Sequence, residues 1–168
     1  MNKNLILIGF KSCGKTTLGK LYCVQNPEYK FIDTDDLIKA NFYSSEQNND
    51  SILQSIGQVY KQLGDKSFRE LEAKVFAELV VNTANASNII IATGGGCILN
   101  ADNIHNLKKI GRIIYLECDP KVIYQRWLQN DINPNFINND YTFDNYIKDR
   151  SKLYQKAADK VFNVTNLK

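Results

Sequence analysis

Short apolar runs recur along the 168 residues, separated by longer stretches where apolar positions return every three or four residues. The runs Leu5–Ile8, Lys30–Asp33, Ile89–Ala92, Ile113–Glu117 and Lys160–Val164 read as strands. Thr17–Val24 and Asp36–Asn41 read as helices, and Asp119-Pro120 opens another, with proline in the first turn where its missing N–H does no harm. Ser51–Ala84 is a long helical stretch broken at Gly64-Asp65; Asp65, Lys66 and Ser67 open its second part, which sets Phe68, Leu71, Val75, Phe76 and Leu79 on one face. Strands alternating with helices predict an α/β fold, a parallel sheet covered on both faces with near-continuous apolar strands. From Gln129 to Asp144 the chain is polar, rich in Asn and Asp and without helical period, the character of an active-site lid.

No repeat or linker interrupts the pattern, so residues 1–168 read as one domain. The 43% apolar and 23% charged content is ordinary for a globular chain, and a net charge of +3 argues for neither nucleic-acid nor membrane binding. No apolar stretch approaches the ~20 residues that span a bilayer. The first strand begins without a secretory core, so a cytoplasmic protein is expected. Cys13, Cys23, Cys97 and Cys118 show no C-x-x-C spacing, and His105 is the lone histidine; neither a zinc site nor a disulfide framework is indicated. Cys23 and Cys118 read as small core residues. Cys13 sits beside a helix start, either as a passive loop residue or as an oxidation-sensitive thiol.

Chemistry enters with Gly9-Phe10-Lys11-Ser12-Cys13-Gly14-Lys15-Thr16, which fits G-x-x-x-x-G-K-[ST] between a strand and a helix. Backbone N–H groups and the helix dipole there surround an anion; Lys15 can reach the β/γ-phosphates and the Thr16 hydroxyl can ligate Mg²⁺. Asp33 and Asp35 follow the second strand, at the carboxyl edge where parallel sheets bind ligands. Extended-chain alternation points both the same way, so one can anchor a metal and the other orient an acceptor hydroxyl. The alternative is that Asp35 caps the following helix. Gly94-Gly95-Gly96 ends the third strand and lets backbone approach a ligand, or is a plain turn. Arg69 and Arg150, if they face this rim, suit a small acidic substrate through paired hydrogen bonds.

In order and spacing these blocks resemble the shikimate kinase family from the first strand to about Ala158: Gly9–Thr16, Asp33-Thr34-Asp35, Ser55-Ile56 with Leu63-Gly64-Asp65, Phe68-Arg69 and Glu72, Gly94–Gly96, and Arg150 with Leu153-Tyr154 and Ala157. The resemblance implies a three-layer P-loop kinase fold of the nucleoside-monophosphate-kinase type, with a five-stranded parallel sheet in order 2-3-1-4-5, a substrate-binding helical region at about 34–62 and a lid at about 129–144. It implies ATP- and Mg²⁺-dependent phosphorylation of the shikimate 3-hydroxyl, a step of aromatic amino acid (chorismate) biosynthesis. Gly9, Ser12, Cys13, Gly14, Lys15, Thr16 and Thr17 would surround the nucleotide phosphates, with Arg126 against the adenine. Thr16 and Asp33 would serve the metal, the latter through water. Asp35 would orient the acceptor, as base if one is needed. Arg69 and Arg150 would clamp the carboxylate, with Gly94, Gly95 and Gly96 beside the ring hydroxyls. A monomer is expected, with a weak dimer left open. Two rivals stand beside this reading: a related small-molecule kinase such as gluconate kinase, and a degenerate kinase that binds ligands with little turnover.

The chain departs from the family in three places. Where the lid carries an arginine before proline, this chain has Asn133-Pro134, and no Lys or Arg occurs between Arg126 and Lys148. Such a cation on a transferring phosphoryl is worth roughly 10³–10⁵ in rate, so slow turnover with retained nucleotide binding is expected. Lys11 stands where the family usually has an uncharged residue; it either replaces part of the lid charge as a catalytic group or points to water. Ser12 replaces a glycine and restricts the loop. The sequence also ends soon after the last strand, where the family continues into a closing helix, so exposed apolar sheet surface is expected.

Overall fold

Ile6, Ile8 and Ile91 have no access to water on either face of the sheet, and they mark its centre. The structure, a computed structural model, describes residues 4–45, 55–130, 132 and 141–165. β1 (Leu5–Ile8) is followed by α1 (Lys15–Gln25), β2 (Lys30–Asp33), α2 (Thr34–Ser45), α3 (Ile56–Thr83) and β3 (Ile89–Ala92). A 3₁₀ turn (Cys97–Leu99) leads into α4 (Ala101–Ile110), then β4 (Arg112–Glu117), α5 (Pro120–Gln129), α6 (Phe143–Ala157) and β5 (Lys160–Asn163). The strands form one parallel sheet in the order β2-β3-β1-β4-β5, with helices on both sides. The chain leaves β1 for the far edge, returns to β3 beside it and then crosses to β4 on its other flank. β1 therefore lies at the reversal of strand order, where open parallel sheets leave a crevice beyond their carboxyl ends.

Both-face burial holds for the middle of the sheet and fails at its rims. β3 is buried throughout, whereas β2 is partly accessible and all four residues of β5 are exposed, because each edge strand has a neighbour on one side only. The apolar run in the last strand extends to Val164, but pairing ends at Asn163. The long helical stretch begins at Ile56 behind Ser55, whose hydroxyl accepts from the Gln58 N–H while the Gln58 side chain accepts from the Ser55 N–H. Residues 51–54 of that stretch lie outside the described residues. Gly64 breaks it as expected, at φ 73° and ψ 170°, a conformation that side chains disfavour. α3 serves two cores, the part after the break contributing to both. Its latter half packs Phe76 and Leu79 on the sheet, while Val59, Phe68 and Val75 join Ile38 and Phe42 of α2 in a second cluster beside the crevice. Of the expected helical region 34–62, residues 46–54 are outside the described residues. Among the four cysteines, Cys13, Cys97 and Cys118 are buried and Cys23 packs partly against the main core.

One buried polar side chain ties the amino-terminal ends of the strands together. Asn4 Nδ2 donates to the carbonyls of Ala86 and Ile110, each at 3.1 Å, and its Oδ1 accepts from the Ile89 N–H at 3.0 Å. Its own carbonyl accepts from the Arg112 N–H at 3.0 Å. The register of β1 between β3 and β4 is thus set from one residue. Removing the amide strands two buried backbone groups and a partly buried one, so Asn4→Ala is expected to lower unfolding free energy by about 2–4 kcal/mol. A urea titration should show this as a lower midpoint at unchanged slope; a loss under about 0.5 kcal/mol would refute the role.

Candidate active site

The turn after β1 is built to face an anion. Ser12 has φ 66° and Gly14 φ 105°, both left-handed, which curls the chain tightly before α1 starts at Lys15. Ser12 adopts this conformation against its side-chain preference, the restriction expected where a serine replaces glycine. Lys15 is buried; its Nζ donates to the carbonyls of Gly9 at 2.9 Å and Phe10 at 2.8 Å. The next two carbonyls are held from α5. Trp127 Nε1 donates to the Lys11 carbonyl and Arg126 to the Ser12 carbonyl, both at 3.0 Å. Phe10 packs edge-on against Tyr154, whose hydroxyl donates to the Gly95 carbonyl at 2.5 Å.

The carboxylates divide their work differently from the expectation. α2 starts at Thr34, directly after β2, so Asp35 lies in a helical first turn and not in an extended strand. The capping carboxylate is Asp33, whose Oδ1 accepts from the Asp35 N–H at 3.0 Å while its Oδ2 accepts from the Thr16 hydroxyl at 2.8 Å. The turn, not strand alternation, brings both aspartates to one rim. It also leaves the Asp35 carboxyl uncommitted as a cap. Burial, and next the neighbouring Asp33 charge, push the Asp35 pKa up to about 6; Lys15 and Lys11 oppose the shift, and Glu72 adds to it.

Each glycine of the triplet makes room for something specific. A Cβ on Gly94 would stand 3.0 Å from Asp35 Oδ1, one on Gly95 3.2 Å from the Lys11 nitrogen, and one on Gly96 2.6 Å from both terminal nitrogens of Arg69. Arg69 donates to Glu72 Oε2 at 2.8 Å, and Asp65 lies 3.6 Å from its Nε. Glu72 is buried and Asn103 also donates to it, at 3.5 Å. Burial raises the Glu72 pKa, and the Arg69 charge and hydrogen bond work against that rise. Arg150, one turn before Tyr154, lies over the Tyr146 ring at 5.3 Å.

All of these groups open on one cleft of about 910 Å³. Lys11, Ser12, Cys13, Gly14, Lys15, Thr16, Thr17, Asp33, Asp35, Arg69, Gly94, Gly95, Gly96, Arg126 and Arg150 line it; Gly9 lies beneath, as the carbonyl that holds Lys15. The two arginines and Asp35, remote in sequence, face a common space. Sequence reasoning missed Trp127 and Tyr146, and named Tyr154 and Glu72 only within matching blocks, with no role. The single tryptophan beside Arg126 and a tyrosine four residues after Arg150 were the available signals. Of the lid, Gln129, Asn130, Ile132 and residues 141–144 are described, and Asn133 lies outside the described residues. No cluster of three or more His, Cys, Asp or Glu suited to a metal occurs among the described residues. The Thr16–Asp33 pair nevertheless supplies adjacent hard oxygen donors beside the phosphate loop, a donor set that fits Mg²⁺ sharing its remaining sites with phosphate and water.

The family model for shikimate kinase matches residues 11–168. The chain belongs to the shikimate kinase family. It is 36% identical to a shikimate kinase of Clostridium botulinum, over 99% of this chain and 90% of the relative. With a shikimate kinase of Alkaliphilus oremlandii the identity is 32%, over 96% of this chain and 88% of the relative. Among solved structures, shikimate kinase from Acinetobacter baumannii in complex with shikimate superposes with a TM-score of 0.76 at 25% identity, covering 96% of this chain and 83% of that one. The enzyme from Bacteroides thetaiotaomicron gives 0.75 at 27% identity, with 99% and 89% covered. The five-stranded P-loop kinase fold expected from the resemblance is therefore the fold observed.

Within this family frame the raised Asp35 pKa has a consequence for stability. Folding favours the protonated acid, so between the ordinary carboxylate value and about 6 the native state binds more protons than the unfolded chain, and stability falls as pH rises. Above about 6 the full penalty stands. Asp35→Asn is expected to stabilise the fold by about 1–3 kcal/mol at pH 7.5 and by nothing below about pH 4. Denaturation of both proteins at the two pH values tests this, and an equal gain at both would sink it.

Proposed function

We propose that the chain transfers the γ-phosphoryl group of Mg²⁺-bound ATP to the 3-hydroxyl of shikimate. The observation that carries this reading is the convergence of Arg69, Arg150 and Asp35 on the cleft that the phosphate loop floors. Shikimate presents a carboxylate at one end and hydroxyls at the other. Arg69, with Glu72 fixing its orientation, and Arg150, steadied over Tyr146, grip the carboxylate. That places a ring hydroxyl at Asp35, which orients it and takes its proton as the oxygen becomes a nucleophile. Gly95 and Gly96 let the ring approach closely. Nucleotide phosphates lie along the loop from Ser12 to Thr17, with Lys15 moving from carbonyl to phosphate oxygen and Arg126 beside the base. Thr16 and Asp33 would hold Mg²⁺, which when bound would offset phosphate charge.

No described helix is long and apolar enough to cross a membrane, and action on a small metabolite accords with the cytoplasm. The gluconate kinase alternative is not favoured, since the relatives and neighbours of similar length are shikimate kinases.

A coupled ADP-release assay over shikimate, quinate and gluconate, with the product identified by mass, tests the assignment; preference for gluconate would overturn it. Each arginine makes charge-assisted hydrogen bonds worth about 1.5–3 kcal/mol, so Arg69→Leu or Arg150→Leu should raise the KM for shikimate by roughly 10- to 100-fold. The KM for ATP should stay within about threefold, well below the effect of losing such a bond. Loss confined to the ATP side would place the arginines elsewhere.

A further inference from the structure

Five cationic side chains line the cleft, and four have their charged heads engaged. Lys15 is held on two loop carbonyls, Arg69 on Glu72, Arg126 on the Ser12 carbonyl and Arg150 over the Tyr146 ring. The fifth is Lys11, whose side chain is exposed and makes no hydrogen bond or ion pair among the described residues. Its backbone is the opposite of loose. The carbonyl is held by Trp127 Nε1 at 3.0 Å, and the nitrogen lies against Gly95, on the acceptor side of the loop. A short flexible ammonium arm thus stands on a fixed base between the phosphate loop and the glycine triplet.

The segment joining α5 to α6 offers no substitute, since no Lys or Arg occurs from Trp127 to Ile147. Yet phosphoryl transfer spreads charge over the three equatorial oxygens of the moving group, and Lys15 approaches these from the donor side. We propose that the Lys11 ammonium is the acceptor-side cation of the reaction, touching the γ-phosphoryl oxygens as they pass to the acceptor. The idea rests on the kinase reading above. In the step, the acceptor oxygen forms a bond to phosphorus while the bond to the β–γ bridging oxygen breaks. The electron pair leaves on the terminal phosphate of ADP, and the acceptor proton passes to an Asp35 carboxylate oxygen. Lys11 is consumed in none of this; it offsets charge that is greatest midway.

The test compares wild type, Lys11→Met and Lys11→Arg for turnover, KM, ADP affinity and thermal midpoint. Removing one cation of this kind is expected to lower kcat by about 10²-fold or more. The KM for shikimate and the ADP affinity should stay within about threefold, since the contact belongs to the transition state. Lys11→Arg should keep kcat within about tenfold of wild type, because the charge is retained. A kcat for Lys11→Met within about threefold of wild type overturns the proposal, as does a loss that Lys11→Arg shares together with weakened ADP binding. If wild type ignores shikimate but phosphorylates another acid of the panel, the substrate assignment falls and Lys11 is judged on that acid. A wild type silent on every acceptor, though it binds ADP, overturns both.

Discussion

The site depends on how the phosphate loop disposes of its own carbonyl groups. Four in succession, from Gly9 to Ser12, are taken up by donors behind the loop: Lys15 holds two, Trp127 the third and Arg126 the fourth. A trans peptide is planar and points its C=O and N–H in opposite directions, so tying the oxygens back frees the N–H side of the loop, apart from the Cys13 N–H, which donates to the Phe10 carbonyl at 3.2 Å. An anion then meets donors without paying to reorient them. The arrangement also ties the loop to α5, so the Arg126 wall of the cleft and its loop floor are joined by two hydrogen bonds.

A second economy lies in the glycine triplet after β3. Each Cβ-free position faces a different working group: Asp35 at Gly94, the Lys11 backbone at Gly95, and the Arg69 guanidinium at Gly96. A methyl group at the last would press into an arginine already tied to a buried glutamate. The buried Glu72 is itself costly, as its raised pKa shows, and it is tolerated because Arg69 and Asn103 share its charge. The position of the Arg69 guanidinium thus rests on a carboxylate in the interior of α3, at that carboxylate's own expense.

Much of this could be read from the chain in advance. The bounds of β1, β2 and β3 coincide with their apolar runs, because strands buried on both faces have little latitude in composition. The phosphate loop was legible because its glycines answer a local backbone demand. Asp33 and Asp35 were placed on the right rim for an incorrect reason: extended alternation was assumed, whereas a helical turn capped by Asp33 brings them together. The edge strand β5 was harder to read, since exposure on its open side relaxes the apolar pattern. The roles of Trp127 and Tyr154 were not legible, because they are polar atoms reaching backbone carbonyls more than fifty residues away, and nothing in local spacing encodes such a partner.

The sequence by itself determined the alternation of strands and helices, the anion-binding turn and the identity of the charged groups, because periodicity, glycine tolerance and side-chain chemistry are local properties. Only the tertiary structure decided that Arg69 and Arg150 open on the same space as Asp35, that Lys11 is the uncommitted cation there, and that Glu72 is buried behind them. Those facts depend on the strand order, which folds distant segments onto one edge of the sheet. Contact between residues far apart along a chain is a property of that topology and of packing.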